Sequence, residues 1–231
     1  MRARGNGPTL AAGGLALALL AAGCGAGGRA TSGGRTGTAG AATTPAAGSG
    51  TPVSGSFRIA PGSTATYTAH ETFLRQNLPH APVGTTGRVT GQVVLASGAV
   101  RSGTVTVDLT GLHTHTAMRD RRVQQSLDTA AHPDATFVIT GEEGAAQVVA
   151  GSTADVRVRG NLTIGKVTKP EVWDVRITAA GATLHAVATL DVDMTAFGVQ
   201  PPSIPGFVSV QPGIQLGADI TATKAPGPSA A

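Results

Sequence analysis

An all-β domain of about eight antiparallel strands is predicted by three features of the chain: sustained period-two alternation of apolar and polar residues, Gly-containing turns at hairpin spacing, and a single stretch of helical character. Val105, Val107 and Leu109 alternate with Thr104, Thr106 and Asp108, while Trp173, Val175 and Ile177 alternate with Asp174, Arg176 and Thr178. Successive side chains of a strand point to opposite faces, so each run makes one apolar and one polar surface. A closed barrel and a two-sheet sandwich both satisfy this pattern. The alternation leaves open whether the apolar faces line a lumen or fill a solid core.

The elements follow in order. Arg2 and Arg4 precede an apolar run of 13 residues, Leu10 to Ala22, and small residues lead to the only cysteine, Cys24. The run is shorter than the ~20 residues of a membrane-spanning helix, which predicts a secretory signal peptide over residues 1–23. Ala21-Ala22-Gly23-Cys24 resembles the lipobox of bacterial lipoproteins, although Ala21 stands where leucine is usual and Leu20 lies one place earlier. The resemblance implies lipidation at Cys24 and an exported chain anchored to the outer face of the cell membrane. A thiol used in this way leaves none for disulfides or for a sulfur-based zinc cluster.

Of the 26 residues from Gly25 to Gly50, 23 are Gly, Ala, Ser or Thr. Such a segment buries too little surface to offset its ordering entropy, so residues 24–52 are predicted to be the lipidated cysteine and a disordered linker. The folded body is expected over residues 53–224, with a Pro-, Gly-, Ser- and Ala-rich tail at 225–231. Strand runs are read at Thr64 to Phe73, Arg88 to Leu95, Val105 to Leu109, Thr136 to Thr140, Val156 to Ile164, Trp173 to Thr178, Leu184 to Leu190 and Ile214 to Ile220. Ala117 to Leu127 reads as the helix, opened by Thr116 as N-cap.

The net charge of +4 belongs to the leader and linker, because the chain beyond residue 52 carries 13 basic and 13 acidic residues. A formally neutral body with few aromatics lacks the basic face and base-stacking side chains of nucleic-acid binding, so no nucleic-acid partner is expected. There is no Gly-x-Ser-x-Gly elbow, no phosphate-cradling loop and no His-Glu-x-x-His helix. No catalytic residues are therefore assigned, and the chain is not read as an enzyme.

Four segments in series carry a wider resemblance. They are Val83 to Gly91, Thr116 to Asp120 followed by Leu127 to Phe137, Gly160 to Pro170, and Phe197-Gly198. In order and spacing they resemble the YceI-like family over roughly Ala65 to Thr223, with Arg119, Asp120, Pro133 and Phe137 at the motif positions. The resemblance implies an extended, eight-stranded lipocalin-like barrel whose lumen holds a polyisoprenoid or similar long-chain lipid outside the cytoplasm, without cofactor or chemical turnover. Carrier, stress-protection and lipid-buffer roles all fit this reading.

Arg119 and Asp120 are neighbours on the helix and point about 100° apart, so each is expected to tie the helix to nearby strands or loops. Trp173, Phe197 and Phe207 are the bulky candidates for lining or capping the barrel mouth. Period-two spacing puts His113 and His115 on the same strand face, where they could share a metal, with His132 as a third ligand candidate. Metal binding through these histidines, and a solid surface module that binds nothing, are the rival readings. An open strand edge would allow a homodimer.

Overall fold

The structure is a computed structural model in which residues 50–226 are described. The predicted signal peptide, Cys24, nearly all of the linker and the tail from Gly227 lie outside the described residues. Thirteen strands occur in the order β1 Gly55–Ile59, β2 Thr64–Thr68, β3 Glu71–Phe73, β4 Leu78–His80, β5 Val83–Thr86, β6 Val89–Ala96, β7 Ala99–Asp108, β8 Asp134–Glu143, β9 Thr153–Ile164, β10 Val167–Ala180, β11 Thr183–Asp193, β12 Val208–Val210 and β13 Gly213–Lys224. The one α-helix among the described residues, α1 (Ala117–Leu127), connects β7 to β8.

Eight strands, β1, β6, β7, β8, β9, β10, β11 and β13, form a closed antiparallel barrel, because β1 pairs with β6 on one side and β13 on the other. Closure decides between barrel and sandwich. It also removes the long free edge that would have allowed a homodimer, leaving the sheet ends at β4, β5 and β12.

The predicted run Thr64 to Phe73 is not one strand. β2 stays beside β13, with Tyr67 opposite Leu216, whereas β3 turns away after Ala69 and His70 to sit between β4 and β12 in a small second sheet. Side-chain alternation reports a strand's faces and says nothing of its pairing partner, so one pattern spans two sheets.

β1 and β2 both lie along β13, separated by a turn at Ala60 to Ser63. That break would orphan the Thr221 backbone. Instead the Ala60 N–H donates to Thr221 O at 2.8 Å and the Thr221 N–H donates to the Ser63 hydroxyl at 3.1 Å. Ser63 is 1% exposed, so its hydroxyl replaces a ladder bond that water cannot supply there.

Inward residues of the long strands are apolar and most outward ones are polar or charged. On β9, Val156, Val158 and Leu162 are buried, while Asp155 and Arg157 face out. Arg176 on β10 forms a two-pronged pair with Asp155, its direct cross-strand neighbour, at 2.7 and 3.1 Å. Exposed pairs of this kind add little stability but keep the outer face wet.

One end of the barrel is shut. Val148, fully buried, donates its N–H to Gly98 O at 2.8 Å and accepts from Val53 N–H at 2.9 Å, which holds the β8–β9 connection against the β6–β7 turn. The described chain both enters and leaves at this end, where Ala225 N–H donates to Ser56 O. At the opposite end stand α1, the small sheet and the β11–β13 connection.

Candidate functional site

Inside the barrel lies a cavity of about 280 Å³ that runs from Glu71 and Arg119 at the open end to Leu95 and Val100 near the shut end. Its walls are inward residues of the alternating strands, including Val105, Val107, Val158, Val175, Leu184 and Leu216. One contained water needs only ~10 to 15 Å³ and two to four polar partners, so this space exceeds a water's needs and offers few of its bonds. The described lumen is a cavity, and the solid-core alternative does not hold.

Small side chains create the space. Ala188 on β11 is opposite Ala218 on β13, and Ala218 is opposite Ala65 on β2, which makes a row of alanines along one wall. Phe137 and Trp173 supply bulk elsewhere on the wall, with ring centroids 5.9 Å apart. The Trp173 indole nitrogen is buried and has no hydrogen-bond partner among the described residues.

Polar groups gather at the mouth. Arg119 donates from Nε and Nη2 to the two carboxylate oxygens of Glu71 on β3, both at 3.2 Å, and His80 Nδ1 lies 3.4 Å from the same carboxylate. Asp120 accepts from the Thr114 N–H at 2.8 Å and from the Thr114 hydroxyl at 2.6 Å, fastening the start of α1 to the loop before it. Thr116 occupies the N-cap place without a side-chain capping bond. Tyr67 lines the cavity, and burial pushes its phenol up to about 12 against the opposing pull of Arg119.

The remaining candidates fall in different places. Phe137 is buried in the wall, and the Pro133 carbonyl accepts from Leu109 N–H at 2.7 Å. Phe197 and Phe207 are not among the lining residues. Asp193 caps the short turn Met194–Phe197 and tips Phe197 into the core, where it is 3% exposed. Phe207 lies on the outside of the small sheet, 48% exposed and edge-on to Phe73 at 5.9 Å.

His113 and His115 do not share a strand face. They sit in the loop between the short turn Leu109–Gly111 and α1, with His113 Nδ1 3.1 Å from Gly111 O. His132 lies in the turn before β8, and its Nε2 is buried without a partner among the described residues. Among the described residues no group of three His, Cys, Asp or Glu is arranged to hold a metal.

Glu71 and Tyr67 were not singled out in the sequence. Glu71 is the one acidic residue before Asp108, and Tyr67 the one tyrosine of the chain, which are the compositional signals that mark them.

Fold and cavity define a class: a lipocalin-like antiparallel β-barrel with an apolar lumen and a polar mouth. The chain belongs to the YceI-like domain family, which matches residues 60–222. Among solved structures it is similar to BcnA of Burkholderia cenocepacia, at 21% identity and a TM-score of 0.56, covering 71% of this chain and 99% of that one. It is also similar to a polyisoprenoid binding domain from Saccharophagus degradans implicated in plant cell wall breakdown, at 14% identity and TM-score 0.57, covering 75% and 100%. The YceI protein of Campylobacter jejuni aligns at 16% identity and TM-score 0.51, covering 62% and 85%. At these identities the likeness shows a shared fold. No curated protein matches the chain.

Proposed function

We propose that the protein binds a polyisoprenoid or similar long-chain lipid in the barrel lumen, releases it unchanged, and works outside the cytoplasm from a lipid anchor at Cys24. The observation that carries this is the apolar cavity running through the barrel behind a polar mouth. Burial of an aliphatic chain there contributes ~25 cal/mol per Å² of apolar surface removed from water. The Saccharophagus degradans neighbour, described as a polyisoprenoid binding domain, supports the ligand class. The lipobox-like residues before Cys24 support the anchor. Such a protein serves as a carrier or buffer of membrane-derived lipid, including under stress.

Native mass spectrometry of protein purified without detergent, followed by organic extraction, tests the ligand. A bound mass of several hundred daltons that extraction releases as a polyprenyl species is expected; an apo mass unchanged after incubation with polyprenols overturns the reading. For the anchor, metabolic labelling with an alkyne fatty acid should mark the wild-type chain and not Cys24→Ala. Labelling of both, or of neither, removes the lipoprotein assignment.

A further inference from the structure

The mouth of the lumen holds hydrogen-bond donors and no uncompensated positive charge, since Arg119 is paired with Glu71 and the Asp120 carboxylate stands nearby. The Glu71–Arg119 fork uses two of the five guanidinium N–H groups, and among the described residues no acceptor meets Nη1. Glu71 and Arg119 side chains are 10% and 21% exposed, so this charge cancellation takes place largely out of water. The nearby Asp120 carboxylate is engaged by Thr114.

Tyr67 adds a second donor. Its hydroxyl has no partner among the described residues, and its ring lies over Gly84, the residue directly opposite on β5. Any β-carbon at Gly84 would overlap that ring. The phenol stays protonated far above neutral pH, so it is a donor under all physiological conditions.

We propose that Tyr67 and Arg119, with Glu71 cancelling the charge, seat an uncharged oxygen-bearing head group, a hydroxyl or carbonyl, and discriminate against a phosphorylated one. This inference rests on the lumen binding a long-chain lipid. Two donors that line the same partly desolvated cavity can satisfy a neutral acceptor at small desolvation cost. A phosphate would bring about −1.5 to −2 charges beside Glu71 and Asp120, where the available guanidinium is already paired.

Trp173 is the single tryptophan and part of the cavity wall, so its emission reads occupancy in the full chain. The probes are a C20 prenyl alcohol, its monophosphate and the corresponding C20 hydrocarbon. The alcohol should bind about tenfold tighter than either of the others. Tyr67→Phe should lower the alcohol-to-hydrocarbon affinity ratio several-fold, and Glu71→Gln, by releasing the Arg119 charge, should reverse the preference between alcohol and monophosphate.

Circular dichroism checks that each variant is folded; should Glu71→Gln fail to fold, Tyr67→Phe decides. A monophosphate that binds as tightly as the alcohol in the unaltered chain overturns the proposal. So does an alcohol that binds no better than the hydrocarbon, or a ratio that Tyr67→Phe leaves in place. If none of the three probes binds, the lipid-lumen reading itself fails, and the head-group seat falls with it.

Discussion

Tyr67 gives the residue scale its clearest test, because burial holds its phenol near 12 and the chain has no other tyrosine. A raised folded-state value means that the unfolded chain loses this proton first, near 10. The contribution is therefore complete below about pH 10 and is lost as pH rises towards 12. Absorbance titration at the phenolate band should show a midpoint near 12, and Tyr67→Phe should remove part of the alkaline fall in stability; a midpoint at the ordinary value would show an unburied ring. Asp108 works in the opposite direction. Its hydrogen bonds from Thr110, with Arg88 adding its own, hold the carboxyl below its usual value, so its stabilisation is present at neutral pH and is lost as acid protonates it. Because Asp108 caps the turn at Leu109–Gly111, Asp108→Ala should cost about 1 kcal/mol, read by denaturant unfolding.

Among the elements, the break between β1 and β2 and the seating of aromatic rings over glycines matter most. Ser63→Ala removes the hydroxyl that serves the Thr221 backbone and should destabilise the barrel by about 1 to 3 kcal/mol, a shift visible in the urea midpoint. Phe137 lies across Gly160 much as Tyr67 lies across Gly84. Gly160→Ala must displace both that ring and the Val138 carbonyl, and should cost about 1 to 3 kcal/mol by thermal unfolding. The helix Ala117–Leu127 and the alternating faces of β7, β9, β10, β11 and β13 are legible in sequence because each depends on a local period. The split of Thr64 to Phe73 into β2 and β3, and the loop position of His113 and His115, depend on pairing partners far along the chain.

For the whole molecule, the decisive feature is that both described ends leave the barrel at its shut end, so the mouth stands clear of them. The row Ala65, Ala218 and Ala188 keeps the lumen open. Ala218→Phe should fill it, leaving the circular dichroism spectrum in place while abolishing the lipid mass that the proposed function expects in native mass spectrometry; retention of such a mass would locate the ligand elsewhere. Alternation and turn glycines were enough to specify an all-β domain, since strand faces and turns are properties of neighbouring residues, and the resemblance carried by the motif series implied the barrel. They could not distinguish a hollow barrel from a filled one, because that depends on which small side chains meet across three strands. Nor could they join Glu71 to Arg119 across 48 residues, or bring Tyr67 beside them. Those juxtapositions exist only once the barrel has closed, when distance along the chain no longer sets distance in space.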